Sequence, residues 1–139
     1  MSRPIITVFG ATGAQGGGLA RAILNDPSRR YALRAVTRKP GATAAMELAS
    51  RGADIVTADL DDARSVERAL EGAHGAYFVT NFWEHFSADK ELAQAKTLAA
   101  AAAHTGIRHA VWSTLEDTRQ LLPADGARME PKPVAPANK

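Results

Sequence analysis

The chain lacks cysteine and has no long hydrophobic segment. The absence of cysteine excludes disulfide bonds, thiolate metal sites and a cysteine nucleophile. The longest apolar run, Leu98 to Ala103, is far shorter than the roughly 18 residues that a membrane-spanning helix needs, and no signal segment opens the chain. We therefore expect a cytoplasmic protein with no membrane contact.

Neither sign of charge dominates the 139 residues. Lysine and arginine together number 17, and aspartate and glutamate 15, so the net charge is +2. This small surplus does not indicate nucleic-acid binding, and the sequence contains no basic stripe or recognition helix. The length is that of one domain, so a separate substrate lobe is not expected.

Short β-branched and aromatic segments alternate with segments of helical periodicity. The predicted strands are 5–9, 31–37, 54–59, 76–80 and 107–113, and the predicted helices are 14–25, 40–51, 61–71 and 88–104. Asp61 and Asp62 are expected in the cap and first turn of the third helix, and 81–87 forms a loop. This alternation predicts an α/β fold, a doubly wound parallel Rossmann sheet with strand order 3-2-1-4-5.

The alternation stops after Ser113. Residues 114–139 hold four of the seven prolines and few large apolar side chains. We therefore predict a dinucleotide-binding domain over residues 1–117, followed by a proline-rich, mobile tail over 118–139. A sheet edge left open after strand five would favour a homo-oligomer.

A glycine motif lies between the first strand and the first helix. It consists of Gly10, Ala11, Thr12, Gly13, Ala14, Gln15 and Gly16. Glycines at this bend allow a tight turn and let a pyrophosphate reach main-chain N–H groups at the positive end of the helix. The alternative is a connection whose glycines serve only close packing. Gly17 and Gly18 follow, and we expect close approach of helix and sheet to require at least one of them.

The end of the second strand indicates which dinucleotide binds. NAD sites place an acidic residue about 20 residues after the glycines, where it accepts a hydrogen bond from the ribose 2′-hydroxyl. This chain has Arg38 and Lys39 there. A guanidinium fork and a second positive charge suit the 2′-phosphate of NADP. The alternative is a solvated basic pair at a strand end.

Two further segments follow strands at the edge where a ligand would bind. Asp59 and Leu60 follow strand three, and Asp59 could accept from an adenine amino group or cap the next helix. Thr80, Asn81, Phe82 and Trp83 follow strand four. The segment from Asn81 to Trp83 could line the nicotinamide side of the groove or cover the sheet edge as a hydrophobic lid.

Six segments combine into a more specific pattern: Val8 to Gly17, Val36 to Arg38, Gly52 to Asp54, Ala58-Asp59, Val79 to Glu84 and Trp112 to Glu116. Together they resemble the NmrA-like family of atypical short-chain dehydrogenases, over residues 5 to about 117. The resemblance implies NADP contact by Gly10 to Gly16, Arg38, Lys39, Asp59, Leu60 and Asn81 to Trp83. Several members of that family are redox-sensing regulators that bind other proteins, and their relatives include reductases, so the resemblance implies one of these roles.

The chain departs from that family in ways that bear on catalysis. Its only tyrosines, Tyr31 and Tyr77, are not followed four residues later by lysine, so the Tyr-x-x-x-Lys pair of catalytic short-chain dehydrogenases is absent. Lys96 matches a recurrent family lysine only loosely, because Ala93 occupies the usual place. The proline-rich end also replaces the strands and substrate lobe that the resemblance implies, so the sheet is expected to be truncated and the wall over the nicotinamide missing.

The four histidines are scattered without metal-ligand spacing, so no metal is expected. His85 is a candidate functional residue in the loop, although its position favours a solvated histidine. The leading hypothesis is an NADP-binding, non-catalytic sensor domain that acts through a regulatory protein partner. The alternatives are an NADPH-dependent quinone or carbonyl reductase and a remnant that binds no ligand.

Overall fold

Five parallel strands form a single sheet in the computed structural model, which describes residues 2–115. The strands are β1 (Ile5–Val8), β2 (Ala32–Val36), β3 (Asp54–Val56), β4 (Ala73–Phe78) and β5 (His109–Trp112). Their order is β3-β2-β1-β4-β5, and each neighbouring pair is parallel. The predicted fold class and strand order are confirmed.

Four helices connect the strands: α1 (Ala14–Asn25), α2 (Thr43–Ser50), α3 (Ala63–Leu70) and α4 (Ala88–Thr105). A short 3₁₀ turn, Phe82–Glu84, lies in the segment predicted as a loop. Gly106 ends α4 in the left-handed conformation with φ of 68°, which glycine adopts without the steric cost of a Cβ.

The sheet separates two apolar cores. Val8 packs with Ala20 of α1 and Leu48 of α2 on one face, whereas Phe9 and Phe78 pack with residues of α3 and α4 on the other. Phe9 and Phe78 are buried, with ring centroids 5.4 Å apart. Because apolar residues cover both faces, β1 is flanked by helices on each side, as its unalternated sequence predicts.

An arginine that the sequence analysis did not single out ties β2 to α3. Arg34 donates to the Asp54 carboxylate at 3.1 Å and to the carbonyl oxygens of Ala69 at 3.0 Å and Glu71 at 2.7 Å. The two carbonyls belong to the C-terminal end of α3, where backbone acceptors are left open and a positive charge is favourable. Arg34 therefore has a structural role.

Several predicted boundaries differ from the structure. The fourth strand begins at Ala73 and ends at Phe78, three residues before Asn81. Its early start follows from pairing, because Ala73 and Gly75 pair with β1 and Gly75 also pairs with β5, while His74 lies at an irregularity in the register with β1. The predicted strand, 76–80, begins three residues too late and wrongly includes Val79 and Thr80. The other four strands are shorter than predicted at one or both ends.

The helix after β3 also differs in one detail. Asp62 is its N-cap and accepts from Arg64 N and Ser65 N, but Asp61 precedes the cap and is not in the first turn. Asp61 instead accepts from Gln94 of α4 at 2.9 Å and pairs with Lys90 at 3.2 Å. The Gln94 hydrogen bond, followed by Lys90, lowers the pKa of Asp61.

The predicted boundary at residue 117 and the proline-rich tail over 118–139 lie outside the described residues. Among the helices of residues 2–115, none has both the length and the apolar character needed to cross a membrane.

Candidate functional site

The glycine loop leaves β1 at the carboxyl edge of the sheet. Gly10 has φ of +63°, and a Cβ there would lie 2.8 Å from Val79 Cγ1. Gly13 donates to the Gly10 carbonyl at 2.9 Å and forms the N-cap of α1. Ala11 is buried while Thr12 is exposed, so the loop turns its outer side to solvent.

Gly16 is the point of closest approach between α1 and the loop. A Cβ at Gly16 would lie 2.3 Å from the Gly10 carbonyl oxygen and 2.9 Å from the Phe9 oxygen, both backbone atoms. A Cβ at Gly17 would meet Arg21 Nη1 at 3.2 Å, whereas one at Gly18 would meet no described atom within 4 Å. The close approach that was expected at Gly17 or Gly18 is therefore tightest at Gly16.

The first turn of α1 is open to an anion. Its N-cap is a glycine, which has no side chain to accept the first helical N–H groups, and the turn itself is Ala14-Gln15-Gly16-Gly17, which carries no charge. Uncapped N–H groups and the positive end of the helix dipole together favour a phosphate at this position.

Arg38 and Lys39 lie just beyond β2 and are exposed. The Arg38 guanidinium donates to the carboxylate of Glu84, which belongs to the 3₁₀ turn after β4. Lys39 N donates to the Thr37 hydroxyl at 3.1 Å, which shapes the turn. The sequence analysis predicted the cation at this position but missed its acidic partner, 46 residues further along the chain.

Asp59 and Leu60 follow β3, as predicted. One Asp59 carboxylate oxygen accepts from Asp61 N at 2.9 Å, and the Asp59 backbone is held by the Ser65 hydroxyl. Asp59 therefore shapes the turn that leads to α3, while Asp62 caps the helix. Leu60 packs against the core between the sheet and α3 and α4.

The residues after β4 divide into a half-buried and an exposed group. The Thr80 hydroxyl donates to Glu91 of α4 at 2.7 Å, so a bound ligand would have to share it. The Asn81 carbonyl accepts from Glu84 N within the 3₁₀ turn. Phe82 is half-buried and contacts Trp83 and Phe86 edge-on, while Trp83 and Phe86 are 74% and 70% exposed.

Gln15 joins two hydroxyl groups that the sequence analysis did not connect. Its Oε1 atom accepts from Tyr77 at 2.7 Å and from Ser113 at 2.6 Å. Tyr77 comes from β4 and Ser113 follows β5, so both hydroxyls reach the first turn of α1 from the side of β1 opposite Arg38. Only the strand order brings these three residues together.

His85 is more enclosed than a solvated histidine would be. Its Nδ1 accepts from Ser87 N at 3.1 Å, and its Nε2 is buried and has no hydrogen-bond partner within residues 2–115. The expectation that His85 is solvated is therefore wrong. Over the same residues, no three acidic or histidine side chains are grouped as metal ligands would be.

Comparison with known proteins places these features in context. The sequence matches the NmrA-like family over residues 2–125. It is 39% identical over 114 residues to the NmrA-like family domain-containing oxidoreductase FrzB of Cladobotryum sp, an alignment that covers 79% of this chain and 33% of FrzB. The chain thus spans about a third of the length of this curated relative.

Solved structures show the same fold. The negative transcriptional regulator NmrA in complex with NAD superposes with a TM-score of 0.75 and 26% identity, covering 88% of this chain and 37% of NmrA. Its complex with NADP gives a TM-score of 0.74. The triphenylmethane reductase of Citrobacter sp. complexed with NADP(H) gives 0.66 with 25% identity, covering 78% of this chain and 36% of the reductase.

Proposed function

Because the chain belongs to the NmrA-like family, we propose that it binds NADP(H) at the carboxyl edge of its sheet. The observation that carries this proposal is the open first turn of α1 after β1, with the exposed guanidinium of Arg38 following the neighbouring strand β2. The pyrophosphate would lie against the N–H groups of residues 14–16, and the 2′-phosphate against Arg38, with Lys39 as a second charge.

The remaining predicted residues would hold the two ends of the cofactor. Asp59 and Leu60 lie on the β3 side, where adenine would lie, and Asp59 Oδ2 is the carboxylate oxygen not used by the turn. Thr80 and Asn81 to Trp83 follow β4 on the other side of β1 and would line the nicotinamide side of the groove, while Glu84 at the end of the same turn reaches back to Arg38. Support for binding of a nicotinamide dinucleotide comes from NmrA and from triphenylmethane reductase, whose structures contain such cofactors.

We propose further that the domain acts as a redox sensor or regulator and not as a catalyst. The chain has no Tyr-x-x-x-Lys pair, and the Trp83 and Phe86 side chains after β4 are open to solvent. A cofactor-dependent surface could then bind a regulatory protein, as bound ligand favours one conformation over others. A second copy of the chain could instead pair at β5, where Val111 is 60% exposed.

One observation favours a second candidate, an NADPH-dependent reductase of quinones or carbonyl compounds. The Tyr77 and Ser113 hydroxyls converge on one carbonyl oxygen, that of Gln15, on the side of β1 where β4 and β5 lie. Two hydroxyl donors on one oxygen are the kind of arrangement that polarises a carbonyl group. The relatives are also named oxidoreductases.

Calorimetric titration with NADP, NADPH and NAD tests the binding proposal. We expect NADP and NADPH to bind more tightly than NAD, and Gly13→Val to abolish binding of all three, because its methyl groups would occupy the phosphate position. Circular dichroism of Gly13→Val controls for loss of fold. A folded wild-type chain that binds none of the three would contradict the proposal and favour the ligand-free remnant.

A further inference from the structure

A carboxylate lies against the guanidinium that is expected to meet the adenosine ribose. Arg38 follows β2 and Glu84 follows β4, yet their side chains form an ion pair. Since β1 lies between these two strands, the pair crosses above the end of β1, where the glycine loop begins. Any dinucleotide on the loop therefore lies next to both charges.

This arrangement supplies an acidic group that β2 lacks. In sites that bind NAD, a carboxylate at the end of the second strand accepts a hydrogen bond from the ribose 2′-hydroxyl. In sites that bind NADP, an arginine binds the 2′-phosphate instead. Here β2 leads to the arginine, and the turn after β4 brings a carboxylate to the same place. The two groups are suited to the two alternative substituents at one ribose position.

On the basis of the proposed function, we propose that Glu84 is a specificity-determining residue of this dinucleotide site. Its carboxylate competes with the 2′-phosphate of NADP for Arg38, and it accepts a hydrogen bond from the ribose 2′-hydroxyl of NAD. Glu84 thus reduces the ratio of NADP affinity to NAD affinity that Arg38 alone would give.

The exposure of the pair indicates which group prevails when NADP binds. The Arg38 and Glu84 side chains are 66% and 42% exposed, so solvent screens their attraction and the pair is weak. A phosphate carries close to two negative charges and binds a guanidinium through two parallel hydrogen bonds. The 2′-phosphate therefore displaces Glu84, and the cost of displacement reduces the affinity for NADP.

The test is titration of the whole chain and its variants with NADP and NAD. Glu84→Ala is expected to bind NADP about two- to fivefold more tightly, the range set by a surface ion pair, because Arg38 is then free. The same variant is expected to bind NAD about two- to fivefold more weakly, because the 2′-hydroxyl loses its acceptor. Opposite changes for the two cofactors are the signature of the proposed role.

Two further variants separate this role from a general effect of charge. Glu84→Gln keeps an acceptor oxygen but removes the charge, so it is expected to gain NADP affinity while retaining most NAD affinity. Asp89→Asn removes an equal charge from the exposed first turn of α4. Asp89→Asn is expected to change the ratio of the two affinities by less than about 1.5-fold.

Adenosine 2′,5′-bisphosphate and adenosine 5′-monophosphate confine the measurement to the adenosine half. They differ only at the 2′ position, so Glu84→Ala is expected to shift their affinities in the same opposite directions. A loss of NADP affinity in Glu84→Ala would overturn the inference, since it would mean that Glu84 orients Arg38 for the phosphate. Parallel changes for both cofactors, or a shift no larger than that of Asp89→Asn, would overturn it too.

These outcomes differ from a failure of the proposed function. If the folded wild-type chain binds neither cofactor, the dinucleotide site itself is refuted. If it binds both and the ratio does not respond to Glu84, only the role of Glu84 is refuted.

Discussion

At the scale of single residues, Gly16 is the position in the glycine loop that tolerates a side chain least. Gly16→Ala would place a Cβ within 2.3 Å of the Gly10 carbonyl oxygen, and backbone atoms cannot move aside cheaply. We expect this variant to lose about 1–3 kcal/mol of unfolding free energy, the usual cost of overpacking, as measured by urea denaturation.

Gly18→Ala is the matched control, because a Cβ there meets no described atom within 4 Å. Its expected effect is a gain of about 0.5–1 kcal/mol, since alanine is the better helix former. Equal losses in both variants would mean that the loop does not approach α1 as closely as described.

Arg38→Ala tests the contact proposed for the 2′-phosphate. Removing a charge-assisted hydrogen bond to phosphate should cost about 1.5–3 kcal/mol of NADP binding and leave NAD affinity nearly unchanged. Calorimetry of both cofactors measures this difference, with Lys39→Ala expected to cost less because Lys39 offers a single point charge. Equal losses for NAD and NADP would show that Arg38 supports the fold.

Residue types could be predicted at this site more readily than residue partners. The glycines and Arg38 follow from local patterns, because a tight turn or a positively charged strand end can be recognised from neighbouring residues in the sequence. The partners Glu84 of Arg38, and Tyr77 and Ser113 of Gln15, come from distant segments. A hydrogen bond across 62 or 98 residues depends on strand order and side-chain direction, which local patterns do not contain.

At the scale of elements, α3 depends on its N-cap. The Asp62 carboxylate accepts from Arg64 N at 3.0 Å and from Ser65 N at 3.3 Å, and the helix then buries Val66 and Leu70. Asp62→Ala is expected to lower the unfolding free energy by about 1 kcal/mol. Denaturant titration should show a lower midpoint with an unchanged slope.

Asp62→Asn is the control for this prediction, because asparagine caps a helix about as well as aspartate. It should restore most of the stability lost in Asp62→Ala. If both variants lost the same amount, the charge of Asp62 would matter and the cap would not.

A histidine links α3 and α4 in a pH-dependent manner. The hydrogen bond and charge of Glu67 raise the pKa of His104 above its ordinary value of 6.5. The stability that this pair adds is therefore fully present below about pH 6.5 and is lost as the pH rises through the raised pKa. Both groups are exposed, so the effect on stability is small.

Nuclear magnetic resonance titration of His104 measures this directly. In the wild-type chain its midpoint should lie above that of the Glu67→Gln variant. Glu67→Gln should also remove the small excess of stability at acidic pH. An unchanged midpoint would mean that the pair does not form in solution.

The existence of the elements could be predicted from periodicity, but most of their ends could not. The bounds of α1 match the prediction because glycines precede it and Asp26-Pro27 follows it. The start of β4 does not follow from local pattern, because Ala73 and Gly75 have weak strand propensity and are held by pairing with β1 and, for Gly75, with β5. Tertiary pairing overrides local preference in such a strand.

At the scale of the whole molecule, the proposed phosphate and adenine contacts lie within the described residues, on the loop after β1 and the ends of β2 and β3. Binding of NADP to the folded state alone would stabilise it by about 2.7 kcal/mol at a hundredfold excess over Kd. We expect a thermal shift of several degrees with NADP and a smaller one with NAD. Gly13→Val should show neither shift.

The same chain is expected to bind NADPH without oxidising it. General acid–base catalysis contributes about 10²- to 10⁴-fold to rates, and the chain has no Tyr-x-x-x-Lys pair to supply it. Trp83 and Phe86 are open to water beside the position proposed for the nicotinamide, so the water exclusion that strengthens electrostatic catalysis would also be weak. Absorbance of NADPH with simple quinones should therefore stay constant. Steady oxidation that Gly13→Val abolishes, and Tyr77→Phe with Ser113→Ala reduces, would instead identify a reductase that uses the two hydroxyls at Gln15.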